Sequence, residues 1–591
     1  MPDHFGVQIL TTDVLVIGAG GAGMSAALAA AEQGSRVVMT DRSLIGRGGA
    51  TIMAQMTVAA ALGEQVPDDW RHHYADTLVA GRGLCSEPLA RLLCEEGVQA
   101  IRQMDNWGVG WARDGEHMAQ THAPGHDRPR CVYVDYLNTG PAVAKTLRTQ
   151  VAHHETIRRI GDLLIVDLLM REGEVVGAVG LHLTTGAPVV IGAGSVIVAT
   201  GGLTRLYRRN SASQNMGGDG YALALRAGAQ LIDMEFVQFF PIGHLAPRLV
   251  GFDPIMWDPF RYKLGGRLLN GLGEEFVESY GHAAESGGYR VTRDAATYAI
   301  LKEVEAGRGT PAGGAYLSFK HVPEATLRTA FGPIIKKLAA NGIDLTQTMI
   351  EVAPIAHYHM GGVRVDTAMA TDVPGLYAAG EAVGGANGAN RLSGNAITEA
   401  IAFGFVAGRS AATHAATHAV PEESALLALA APTVAELQTT APSDGVQVAA
   451  LIAQLQELMQ VHVGPFRDEA GLLVAQRELL ALQRALGTVL PGGTGPQDPV
   501  RIDGLDLRNM LLVAQTVVLS ALARKESRGA HQREDFPGQE DAWTLNQLVS
   551  LHEGALQLTQ RVVERLADDE QKSAVVTPPP TLSTRSIQGA A

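Results

Sequence analysis

A short β-rich run, Asp13 to Ile17, leads directly into Gly18, Gly20 and Gly23, and an Ala-rich stretch follows to about Gln33. Three glycines in this spacing, between a strand and a helix, leave the chain few alternatives. The first permits a tight turn, the second lets a pyrophosphate come against bare backbone, and the third lets helix and strand pack closely. The pyrophosphate is expected at the helix N-terminus, where unpaired N–H groups and the dipole favour an anion. A second strand, Arg36 to Thr40, delivers Asp41, placed to accept hydrogen bonds from a ribose without a 2′-phosphate. The same fingerprint serves flavin and nicotinamide dinucleotides, so on its own it fixes the ligand class only.

Two distant segments suit the same sheet. Ser195 to Gly202 is an apolar strand ending in ATGG, and Gly375 to Glu381 reads GLYAAGE, an acid after a strand and a glycine. Strands of one parallel sheet would bring all three segments together at their carboxyl ends. With a single GxGxxG visible, NAD(P)H has no second site of its own. The 591 residues, 46% apolar and 18% charged, suffice for two or three domains. A net charge of -14 argues against binding nucleic acid, which needs a basic face. Cys85, Cys94 and Cys131 are the only cysteines, too few for an iron–sulfur cluster, and no metal site is assigned. Any such cluster belongs to another chain. Met1 to Thr12 lacks a basic run followed by an apolar core, so a cytoplasmic protein is expected. The apolar stretch Val14 to Ala31 reads as a buried βα unit, and no membrane span is expected. Beyond about Ser424, helical apolar spacing recurs in Ala449 to Val461, Val474 to Leu486 and Leu507 to Ala523.

These segments, with DMEFVQFFPIG (Asp233 to Gly243), AHYHMGGVRVD (Ala356 to Asp366), GANRLSGNAI (Gly388 to Ile397) and ALARKESRGAHQREDFP (Ala521 to Pro537), resemble the flavoprotein subunits of fumarate reductase and succinate dehydrogenase. L-Aspartate oxidase belongs to the same group. The resemblance runs from about Thr12 to Pro537. It implies an α/β fold: a Rossmann-like FAD-binding domain (1–239 and 354–423) interrupted by an α+β capping domain (240–353). A helical C-terminal domain (424–570) follows, and 571–591 reads as a solvated tail. Around FAD it places Gly18, Gly20, Gly23, Asp41, Arg42 and Ser43, then Gly48, Gly49, Ala50 and Thr51. Thr200, Gly201, Gly202, Asp219 and Glu381 join them, as do Arg391, Ser393, Asn395, Ala396 and Ile397. Respiratory members attach FAD covalently through a histidine, whose position here is Ala50, so non-covalent FAD is expected. The family's glycine pair just beyond is Met56 and Thr57.

By the same resemblance, hydride moves between flavin and a carbon beside a carboxylate. Arg391 and His357 hold the carboxylate, and Arg293 exchanges a proton. Each residue has a plainer reading as well: Arg293 in a salt bridge on a capping helix, His357 as a packed histidine, and His359 as support for the site. The sequence departs from the family where Tyr-His-Pro-Thr becomes Phe239, Phe240, Pro241 and Ile242. Phe240 and Ile242 are therefore expected to make one end of the substrate pocket apolar. The Arg-Gly-Glu-Gly-Gly region reads Arg261, Tyr262, Lys263, Leu264, Gly265 and Gly266, so the proton relay differs. A small substrate with one carboxylate and a separate iron–sulfur protein as electron partner follow as expectations. The competing readings are an amino- or hydroxy-acid oxidase of the L-aspartate oxidase kind and a non-catalytic FAD-binding protein.

Overall fold

The computed structural model describes residues 7–135, 138–249, 255–257, 264–280, 293–440, 447–567, 570–571 and 574; for 293–295 and 333–334 it describes the backbone alone. Its central seven-stranded sheet runs in the order Ile157–Ile160, Val37–Thr40, Gln8–Ile17, Ala187–Val198, Glu174–His182, Leu163–Arg171, and Leu376–Ala378 pairs with Ala187–Val198. Glu174–His182 runs antiparallel to both of its neighbours, while the other pairings are parallel. The parallel strands end along one edge. There the Gly18 N–H donates to Thr40 O (2.8 Å), Ala199 N–H to Ile17 O (2.8 Å) and Ala379 N–H to Val198 O (3.0 Å). The glycine turn, Asp41, the ATGG segment and the GLYAAGE segment thus meet as the sequence implies.

The helix Gly21–Glu32 is buried over nearly its whole length, which its glycine and alanine content permits. It packs on the helix Asn395–Ala415. A Cβ at Gly404 would stand 2.5 Å from Ala22 O, and one at Gly408 would stand 2.2 Å from Ala26 O. Backbone therefore lies against backbone, and both helices start at the ligand edge of the sheet.

An antiparallel sheet of Val237–Ala246, Ile350–His359, Ala315–Ser318 and Arg267–Leu269 forms the capping unit. It has its own buried cluster, in which the rings of Trp257, Phe319 and Phe331 meet. Helices Val448–His462, Glu469–Leu486 and Pro499–Ala523 follow. The last is apolar and long enough to cross a bilayer, yet 72% of its apolar window is buried inside the protein. The region 424–570 is not helical throughout. Leu545–His552 and Ala555–Val562 form a hairpin that extends a small sheet with Leu231–Ile232 and Gly362–Val363. Its turn, Glu553 (φ 47°) and Gly554 (φ 80°), has the two positive φ angles of a type I′ turn. A glutamate at the first of these positions hides that turn from a sequence reading. The tail beyond Ala574 lies outside the described residues.

Candidate active site

A cavity of about 1180 Å³ is walled by the parallel sheet's ligand edge and by the capping strands. Small-molecule sites commonly measure about 300–1,000 Å³, so there is room for a dinucleotide with a second small molecule.

At the dinucleotide end the three glycines have separate physical reasons. A Cβ at Gly18 would lie 2.4 Å from Ala199 O, and Gly18 has φ +105°; a Cβ at Gly23 would lie 1.8 Å from Gly18 O. Both are demanded by packing. At Gly20 the nearest atom would be Thr51 Oγ1 at 3.8 Å, so the space there is left for a ligand. Asp41 lines the cavity and accepts from the Ala19 N–H (2.9 Å) and from the Ser43 N–H and hydroxyl (2.8 and 2.7 Å). Thr51 accepts from the Gly21 N–H at the helix start (3.0 Å). Gly48, Gly49, Ala50, Thr200, Gly201 and Asp219 also line the wall. The Thr200 hydroxyl itself is turned from the cavity onto Gly220, where a Cβ would lie 2.2 Å from it. Ser393, Ala396 and Ile397 bring the second helix N-terminus to the same wall. The glycine cradle, Asp41 and two helix N-termini fit FAD.

Four expected FAD contacts lie outside the wall. Gly23 is a packing glycine, and a Cβ on Gly202 would meet Glu381 Oε1 at 2.4 Å. Ser43 buttresses Asp41. The Asn395 side chain is buried away from the cavity, bonded to His73 Nε2 (2.8 Å) and donating to Thr77 Oγ1 (3.2 Å). These residues shape the site from behind, since a motif gives a residue's place in the chain but not the direction of its side chain.

Arg42 lines the cavity and is clasped by Asp506 (2.7 and 2.8 Å) and Asp219 (3.2 Å). Burial works against its charge, but the two carboxylates outweigh it and raise the pKa. Asp506 also binds Arg205, and Asn509 donates to Asp219 (3.0 Å). Asp506 and Asn509 escaped the sequence reading, although polar residues one turn apart on the apolar face of GLDLRNMLLV are a visible signal. Glu381 lines the cavity and accepts from the His359 N–H (3.1 Å). Burial pushes its pKa up to about 8. His359 is fully buried between Tyr221 OH and Met234 O (3.1 Å each). Burial lowers its pKa to about 4, and it supports the site as a neutral ring.

At the substrate end, the pairing of Val237–Ala246 with Ile350–His359 shifts register: Gln238 faces Tyr358 and Phe239 faces Ala356. His357 is the extra residue. A bulge of this kind re-aims a side chain, and His357 lines the cavity with its Nδ1 on the Ser211 hydroxyl (2.8 Å). This bond orients the ring and leaves Nε2 as its second polar atom, which is a donor to a ligand carboxylate in the tautomer where the hydroxyl donates to Nδ1. Phe240 packs edge-on against this imidazole at 5.3 Å. Arg391 lines the cavity, donates from Nη2 to Gln238 Oε1 (3.0 Å) and lies over the Tyr358 ring at 4.4 Å. The Gln238 amide donates in turn to Asn390 Oδ1 (2.8 Å) and Arg391 O (3.2 Å). His357, Arg391 and Phe240 therefore come together.

Ile242 does not join them. It is fully buried in the capping cluster. Strict alternation would put it on the face of Phe240, but the strand is irregular between Phe240 and Gly243. Its expected place in the wall is taken by Met256, which clusters with Phe240 and Ile355 and is held by its N–H to Gln55 Oε1 (3.2 Å). Arg293 opens the helix Arg293–Glu305; its side chain lies outside the described residues, as do Arg261, Tyr262 and Lys263. Thr297, one turn further on, lines the cavity.

Comparison with known proteins agrees with this architecture. Residues 13–397 match the family model described as an FAD binding domain, and 452–572 match that of the fumarate reductase flavoprotein C-terminus. The chain is 33% identical to the fumarate reductase flavoprotein subunit of Mycobacterium tuberculosis, over 90% of this chain and 93% of that one. It is 33% identical to L-aspartate oxidase of Streptomyces coelicolor, over 92% of each. The E. coli quinol fumarate reductase flavoprotein superposes with a TM-score of 0.86 at 29% identity, covering 95% of this chain and 98% of that one. The cradle for FAD, His357 and Arg391 beside it and these matches along most of the chain make this protein an FAD-dependent oxidoreductase of the fumarate reductase and succinate dehydrogenase flavoprotein family.

Proposed function

We propose that this flavoprotein transfers hydride between non-covalently bound FAD and a C–C bond next to a single carboxylate, on a substrate whose other end is apolar. The observation that carries this reading is Phe240 against His357, with Met256 in the same wall. A second carboxylate placed there would be desolvated without a partner, at a cost of several kcal/mol. When bound, FAD supplies the two-electron chemistry. Arg391 presents a planar guanidinium to the carboxylate, His357 adds a donor, and Arg293 is assigned the proton exchange from the resemblance alone. The electron partner is proposed to be a separate iron–sulfur protein, because three cysteines cannot supply the four thiolates of a cluster.

The test is reduction or reoxidation of the bound flavin by matched acids. Crotonate and longer 2-enoates should reoxidise reduced flavin at least about tenfold more efficiently than fumarate, in keeping with the cost of an unpaired charge. A preference for fumarate would overturn the assignment. The L-aspartate oxidase relative supports a second reading, an oxidase, and hydrogen peroxide produced in step with substrate consumption would select it.

A further inference from the structure

Arg391 is held from two sides. On one side is the Gln238 amide, and on the other is the face of Tyr358, with the guanidinium carbon 4.4 Å from the ring centroid. The Tyr358 hydroxyl donates to Glu399 Oε2 at 2.6 Å, and Asn387 donates to the same oxygen at 2.7 Å. Tyr358, Asn387 and Glu399 are all buried. Asn387 comes from the loop before Arg391 and Glu399 from the helix after it, so the phenol is fixed at both ends of the segment that carries the arginine. Burial pushes the Glu399 pKa up to about 7, and a phenol donating to its ionised form gains electron density in its ring. That strengthens the ring's hold on a cation, most of all where water is excluded.

We infer that Tyr358, oriented and polarised by Glu399, is a positioning residue that fixes the Arg391 guanidinium plane and thereby sets affinity for the substrate carboxylate. The inference rests on the proposed role of Arg391 in carboxylate binding. Tyr358 lines the cavity, but its hydroxyl is taken by Glu399 and its ring face by Arg391, so it acts through the arginine.

The test uses the FAD-loaded full chain and its Tyr358→Leu, Tyr358→Phe, Glu399→Gln and Arg391→Ala variants. Each is titrated with crotonate, fumarate and the neutral probe crotonamide, and binding is followed by perturbation of the visible flavin spectrum. Tyr358→Leu is expected to raise the crotonate Kd about tenfold, the span of a buried cation–π contact. Tyr358→Phe and Glu399→Gln, which leave a ring without a charged acceptor, are expected to raise it about threefold. Crotonamide affinity should stay within twofold in all three, whereas a general distortion of the pocket would weaken both probes alike. If Arg391→Ala abolishes carboxylate binding but the Tyr358 and Glu399 variants bind within twofold of the unaltered protein, the positioning role is wrong and the functional reading stands. Binding of crotonate that survives Arg391→Ala, or that is missing from the unaltered protein, overturns the functional reading and this inference with it. Should Tyr358→Leu fail to retain FAD, the other two variants decide.

Discussion

Gly20 has extended backbone (φ -75°, ψ -168°) and no neighbour that a Cβ would strike, so the protein itself would accept a side chain there. Gly20→Val is therefore expected to fold with a stability within about 1 kcal/mol of the unaltered apoprotein and to lose FAD, because the valine fills the ligand's space. Chemical denaturation and flavin absorbance after gel filtration check the two halves separately. Ala50 leads to another residue-scale expectation: acid precipitation should release all of the yellow colour into the supernatant, and colour retained in the pellet would reveal a covalent link elsewhere. Single residues were legible in the sequence where a backbone rule singles them out, as at Gly18, Gly20 and Gly23, or where a family motif carries them, as at His357 and Arg391. Gln238 was passed over, although it is the one amide in the run EFVQFFPIG. Ser211 was not, because nothing within its own segment shows that it ends beside His357 146 residues away.

Among the elements, the contact between Gly21–Glu32 and Asn395–Ala415 carries most for the site, since it sets where two helix N-termini point. Gly408→Val would drive a side chain into Ala26 O. Overpacking of this kind costs about 1–3 kcal/mol, and flavin should leave the variant at a lower temperature than the unaltered protein, measured by the rise of free-flavin fluorescence on heating. Three of the four C-terminal helices contain the stretches that apolar spacing marks, though two begin well before them, and Glu423–Gln438, with Pro432 inside it, was not read. Irregular features were not legible. The shift between Phe240 and Gly243 turns Ile242 into the capping core, and the hairpin at Glu553 and Gly554 breaks a region that otherwise reads as helix. Both depend on a local backbone choice that hydrophobic pattern does not encode.

For the molecule as a whole, the C-terminal helical region is fastened to the FAD site by charge. Asp506 on the helix Pro499–Ala523 meets Arg42 from the second βα turn and Arg205 from the segment after the central strand. Asp506→Ala would leave two buried guanidinium groups short of a partner. The expected loss is about 3–5 kcal/mol, accompanied by weaker FAD retention and measurable by urea denaturation with and without added FAD. Conversion to Asn, which keeps an acceptor, should cost less. The domain order was legible through long motifs, but this fastening was not, because a lone aspartate on an apolar helix face does not name its partner. Arg42 and Asp506 are 464 residues apart, and a ribosome adding about 5–20 residues per second leaves roughly half a minute to a minute and a half between them. Throughout that interval the nascent chain carries the complete glycine fingerprint but holds Arg42 without Asp506, so the clasp on Arg42 closes only once the helix Pro499–Ala523 has been made.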